Sequence, residues 1–176
     1  GAYDVSTLTD NLLYHIYQRA GYKITITPYN MGAAIQTADS GEVDGLQAQL
    51  DGIHDVKNLI KIPETIGDVE FNAFIKNSSK FRIQSWKDLS GLKVGTLYQK
   101  VYINRSLPDD IAVQKYYNSI HDMQAALKKK EIDVIIISSV VNRNLKVPKG
   151  IKKITIEKCP SYTYVHKKHK LLVPKL

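Results

Sequence analysis

Tyr98, Gln99 and Lys100 stand where an apolar strand candidate, LKVGTL (92–97), runs straight into a helix candidate, QKVYINRS. At such a junction free backbone N–H groups and the positive end of a helix dipole point outward, which suits an anion. Lys100 adds positive potential there, although it fits a solvated surface position equally well. Strand C-terminal ends face the crevice in open α/β sheets, so these three residues are ligand-binding candidates. Ser138 and Ser139 close a second apolar run, IDVIIIS (132–138), where a hydroxyl either seats a ligand or caps the next helix. Gln47, Gln49 and Asp51 lie beyond a strand in the first half, and any of them could face a binding cleft.

Other reactive side chains point less clearly to chemistry. His166 and His169 have a spacing that could bind a metal. No Cys or acid lies beside them, and Lys167, Lys168 and Lys170 would repel a cation, so no metal or cofactor is expected. Cys159 with a His could make a nucleophile pair. Its position before Pro160, in a connecting segment, favours a structural role. Asp44 and Asp133 follow Gly-Glu-Val and Lys-Glu-Ile turns and read as turn or strand-start acids rather than catalysts. The absence of a paired acid–base constellation argues against an enzyme.

The elements that would position these residues alternate along the chain. TLTDNLLYHIYQRAG (7–21) reads as an amphipathic helix with Leu8, Leu12, Leu13, Ile16 and Tyr17 on one face and Gly21 at its end. YKITIT (22–27) alternates like a strand, and 30–41 reads as a short helix capped by Asn30. VDGLQAQ (43–49), LIKI (59–62) and VEFNAFIK (69–76) are strand candidates, followed by the strand–helix junction already described. IAVQKYY (111–117) is another strand, and 119–131 is the clearest helix, with Ser119 and Asp122 at capping-box spacing. Its terminal Lys128, Lys129 and Lys130 complement the helix dipole and need no nucleic acid to explain them. IDVIIIS is apolar enough for a strand covered on both faces. IKKITIE (151–157) and a strand-to-helix stretch at 162–176 complete the chain. The pattern predicts α/β architecture in two halves, with polar breaks near 77–80 and 158–161 as crossovers.

The chain has 176 residues, 43% of them hydrophobic, enough for one domain or two small lobes. It holds no apolar run long enough to span a bilayer. One cysteine excludes an internal disulfide and fits either the cytosol or the periplasm. Residues 1–75 hold 4 basic and 10 acidic residues, whereas residues 76–176 hold 21 and 7. A basic second half attracts anions, nucleic acid or membrane surfaces, or is simply solvated. No nucleic-acid motif accompanies the charge.

Four stretches together resemble the periplasmic solute-binding proteins of the amino-acid-binding type (family 3, type 2 periplasmic fold). SGEVDG (40–45) is similar to that family's Ser-Gly-x-x-Asp turn, and DLSGLKVGTL (88–97) to its Asp-Leu-x-Gly-x-x-Val-Gly opening of lobe two. MQAALKKKEIDVIIIS (123–138) is similar to Ala-Leu-x-x-Gly-x-x-Asp-x-x-x-x-Asp. NLIKIPETI (58–66) and YTYVHKKHKLLVPKL resemble an uncharacterised subgroup. The resemblance implies two αβ lobes on a two-strand hinge, with ligand held in the cleft. Lobe one would be 1–71 plus 163–176, lobe two 76–158, with crossovers near 72–76 and 159–162. It also implies a periplasmic, monomeric, non-enzymatic protein that delivers a small solute to an ABC-type transporter or receptor. The family's opening strand is missing and the last helix is cut short, so a chain shortened at both ends is expected.

The site residues depart from the family. The lobe-one position that often holds a carboxylate-binding Arg is His54 by spacing back from Pro63. Subgroup arginines near Ala33 and Gln49 are absent, the lobe-two junction carries Gln99 and Lys100 instead of Gly then Ser or Thr, and the acid that binds a ligand ammonium aligns with Ser138. A small polar or anionic ligand is therefore expected on Tyr98, Gln99, Lys100, Ser138, Gln47, Gln49 and His54. The alternatives are an enzyme on the same fold, such as a cyclic carboxylic acid dehydratase, a regulator's effector domain, or a degenerate binding domain acting through protein contacts.

Overall fold

The computed structural model describes residues 8–29, 31–51, 53, 56–97, 103, 106–142 and 146–175. Local sequence decides where its helices stop. α1 (Leu8–Arg19) and α2 (Met31–Asp39) end alike. Tyr22 N–H donates to Tyr17 O and Gly21 N–H to Gln18 O; Glu42 N–H donates to Thr37 O and Gly41 N–H to Ala38 O. This pair of bonds needs a left-handed residue, as at Gly41, where φ is +82°.

α3 (Ile120–Lys128) closes with the same pair, Glu131 N–H to Ala126 O and Lys130 N–H to Leu127 O. Here the left-handed residue is Lys130, with φ +62°. The pattern resembled at this stretch carries Gly at that position. A Cβ crowds the following carbonyl in this conformation. Lys130→Gly is accordingly expected to stabilise the protein by roughly 1 kcal/mol in urea melts. A loss of stability would mean that the lysine side chain contributes more than its backbone costs. At the other end of α3, Ser119 Oγ accepts the Asp122 N–H (3.1 Å) and donates to Asp122 Oδ2 (2.7 Å). The short Asp returns to the hydroxyl rather than completing the capping box.

Six strands form one mixed sheet in the order β1-β6-β2-β5-β3-β4. They are β1 (Gly45–Leu50), β2 (Leu59–Lys76), β3 (Lys93–Leu97), β4 (Val113–Tyr117), β5 (Val134–Ser138) and β6 (Ile151–His166). β3 runs parallel to β4 and β5, while β2–β5 and β1–β6 are antiparallel. The chain divides into two compact units, Gly1–Asp68 with Cys159–Leu176, and Val69–Lys158.

In the second unit, Val134, Ile135, Ile136 and Ile137 of β5 are all buried between β2 and β3. Ile135 and Ile137 share a cluster with Met123, Ala126 and Leu127 of α3 and with Phe74. Burial on both faces is why this strand reads as a continuous apolar run. In the first unit, Ala38 of α2 packs with Leu46 of β1 and Tyr164 of β6. α1 is seated less completely. Leu13 is buried, but Leu12 is 41% exposed, and Leu12, Leu13, Ile16 and Tyr17 line a cavity of about 190 Å³ with Ile62, Ile66 and Thr163.

Three expectations are corrected. YKITIT forms no strand, because alternation supplies a face but not a ladder partner, and no backbone bond joins it to one among the described residues. LIKI and VEFNAFIK are not separate strands: β2 runs through Pro63 and Gly67 for 18 residues. The break expected at 158–161 lies inside β6, which runs through Cys159 and Pro160 for 16 residues. Proline fixes its own φ and drives the preceding residue toward extended backbone, so a strand can pass through it.

Candidate functional site

The second unit places Ser138 at a strand end that β3 shares. The parallel register pairs Val94 with Val134 and Gly95 with Ile135, so Leu97 and Ser138 end their strands on the same side of the sheet. Tyr98, Gln99 and Lys100 come directly after Leu97 but lie outside the described residues, as do His54 and Asn30. Ser138 is half-buried and pairs with Phe71. Ser139 opens α4 (Ser139–Asn142), and its Oγ accepts the Glu70 N–H at 3.0 Å. That hydroxyl therefore anchors β2 to the end of β5.

Two polar residues near this strand end were missed in the sequence because each sits in an apolar stretch. Asn72 pairs with Ile137, is fully buried, and accepts a hydrogen bond from Thr155 Oγ1 at 2.9 Å. Thr96 is also fully buried. Asn72 Nδ2 and Thr96 Oγ1 have no hydrogen-bond partner among the described residues. Glu70 is held by Lys158 (3.0 Å) and Lys153 (3.5 Å), and the Lys158 contact above all keeps its carboxyl below the ordinary range.

In the first unit, β1 carries Gln47 and Gln49. Gln47 Nε2 donates to Asp10 Oδ1 of α1, and Gln47 O accepts the Thr163 hydroxyl at 3.0 Å. Gln49 is half-buried opposite Tyr162, after a register shift. Asp51 pairs with Lys61 at 3.0 Å, and Lys61 lies over the Tyr162 ring.

The acid in the turn before β1 has a defined partner set. Asp44 Oδ1 accepts from Lys168 Nζ (2.9 Å) and meets His169 Nε2 (2.7 Å), and its backbone O accepts the His166 N–H. Lys168 first, then His169, lowers the Asp44 carboxyl below its ordinary value. Lys168 Nζ also donates to Gly41 O. The two histidines do not converge, since His166 Nδ1 accepts the Lys168 N–H while His169 reaches Asp44. Among the described residues no group of three or more His, Cys, Asp or Glu could hold a metal. Asp133 takes the strand-start role expected of it, accepting the Lys93 N–H at 2.9 Å.

No family model matches the sequence, and no curated protein matches it. Solved structures do match the fold. Holo ArgBP from T. maritima superposes with a TM-score of 0.68 at 15% identity, covering 96% of this chain and 76% of that one. An ancestral arginine-binding protein bound to arginine gives 0.68 at 20% identity over 95% and 77%. The amino acid ABC transporter substrate-binding protein AbpA from Streptococcus pneumoniae, bound to L-arginine, gives 0.66 at 16% identity over 95% and 73%. The chain thus has the fold of amino acid ABC transporter substrate-binding proteins. No helix among the described residues is long and apolar enough to cross a membrane.

Proposed function

We propose that the chain is a periplasmic solute-binding protein. It captures a small polar or anionic ligand without catalysis and passes it to an ABC-type transporter or receptor. The observation that carries this reading is a fold likeness to binding proteins over 95–96% of the chain. The two compact units correspond to its two lobes, and ligand contacts come from both. Tyr98, Gln99, Lys100 and Ser138 serve from the second unit, and Gln49 and His54 from the first. Gln47, whose Nε2 donates to Asp10, joins them from the first unit through its remaining amide groups.

The ancestral arginine-binding protein and AbpA hold arginine, but the ligand here differs for a physical reason. An α-ammonium needs an acid beside it, because an unpaired buried charge is costly. Ser138 supplies a neutral hydroxyl, and Lys100 repels cations. Calorimetry and thermal shift with L-arginine, other α-amino acids, organic acids and sugar acids test the reading. An acid or neutral polar solute at about 100 times its Kd is expected to add roughly 2.7 kcal/mol of stability, and Lys100→Ala to weaken its binding. Micromolar binding of an ordinary α-amino acid, untouched by Lys100→Ala, would overturn the ligand class. Failure to bind any small solute would overturn the function itself.

A further inference from the structure

Ile62, Glu64 and Ile66 are alternate residues of β2 and so share one side of the strand. All three line the cavity under α1. Ile62 is buried, so this side belongs to the core, yet its next residue is a carboxylate. Among the described residues Glu64 is in no ion pair. Lys61 of β2 pairs with Asp51, and Lys153 and Lys158 of β6 pair with Glu70. An acid thus stands at an inward position with its neighbouring lysines engaged elsewhere.

The walls around that acid are apolar. Leu12, Leu13 and Ile16 of α1 face Ile62 and Ile66 of β2, and Tyr17 adds an aromatic ring. Glu64 is the one charged side chain among the described residues that line the cavity, and the Thr163 hydroxyl is committed to Gln47 O. The roof is fastened to the sheet, since Leu13 is buried and Asp10 accepts from Gln47 Nε2. An apolar cavity of roughly 150 Å³ stays dry and takes benzene. At about 190 Å³ this one has room for a ring and a short chain. A plain hydrocarbon would cover the carboxylate without pairing it, and an acid would be repelled by it. An ammonium on an apolar body satisfies both the walls and Glu64. The excess of acids over bases in residues 1–75 favours the same charge.

We propose that this cavity is a second binding site, for a small primary amine with one aryl or branched alkyl group. The ammonium pairs with Glu64, and the apolar body lies between α1 and Ile62 and Ile66. The site belongs wholly to the first unit and does not depend on the solute-binding reading. NMR titration of the isoleucine-methyl-labelled protein with phenethylamine tests it. Binding is expected with a Kd of about 1 mM or below, with intermolecular NOEs from the ring protons to the methyl groups of Ile16, Ile62 and Ile66. Phenethyl alcohol keeps the shape without the charge and should bind about tenfold more weakly, and hydrocinnamate more weakly still. Glu64→Gln should cost the amine about tenfold and leave the alcohol within about twofold. Circular dichroism confirms that the variant is folded. No binding of the amine at about ten times that Kd, equal affinity for amine and alcohol, or NOEs to Ile135 and Ile137 of the second unit instead would each overturn the proposal. Self-association in sedimentation that Leu12→Lys abolishes would give the cavity to a second copy of the chain and overturn it as well.

Discussion

Replacing Ile136 with Ala is expected to destabilise the protein by roughly 2–5 kcal/mol in denaturant melts. Ile136 is 0% exposed, at the middle of β5 and opposite Ala73 of β2. Strand pairing on both sides limits collapse around the lost methyl groups, so a cavity remains and adds to the transfer cost. Ile136→Val removes one methylene and should cost only about 0.5–1.5 kcal/mol. An Ala variant within about 0.5 kcal/mol of the parent would behave like a surface substitution and contradict the burial.

A second large effect is expected at Gly45, where β1 begins. A Cβ built there would lie 2.2 Å from Tyr164 O and 3.2 Å from Val165 Cα, both backbone atoms of β6. No rotamer change relieves a clash with a paired strand, so β1 must move and lose register. Gly45→Ala should cost about 3 kcal/mol, the upper part of the range for overpacking. Gly95→Ala is the informative comparison. Its Cβ would meet the tip of Ile132 at 2.5 Å, a side chain that can yield. Gly45→Ala should therefore be the more damaging, and hydrogen exchange should show its loss concentrated in β1 and in 161–165. The reverse order would mean that β1 and β6 do not approach as closely as described.

Much of this structure was legible because local physics and tertiary context agree. β5 announced itself by an apolar run short enough for a strand, and α3 by its serine cap and buried Met123, Ala126 and Leu127. YKITIT failed because alternation describes one strand, whereas a ladder needs two. The interruptions assumed at Pro63 and Cys159–Pro160 failed because those residues still accept extended backbone. Asp44 and Asp133 look alike in sequence, yet Asp133 serves the backbone of Lys93 while Asp44 binds side chains 124 and 125 positions away. Spacing carries no signal of such distant pairs. At the candidate site, the place of Ser138 at a strand end was legible from the apolar run it closes, whereas its neighbour β3 came only from the pairing register. The commitment of Gln47 to Asp10 was not, because it depends on how α1 meets β1.

The two long strands also order events during synthesis. The second unit is one uninterrupted stretch, whereas the first needs β6 to return across roughly ninety residues before β1 can find its partner. Closing a loop of that size carries an entropy cost of about 4 kcal/mol if the intervening chain is still flexible, and far less once it has collapsed into a folded unit. A nascent chain released from the ribosome only as far as Lys158 already contains the whole second unit but none of the β6 residues, Ser161 to Val165, that pair with β1. Folding on the ribosome should accordingly begin in the second unit, with α1, α2 and β1 waiting for residues 159–176.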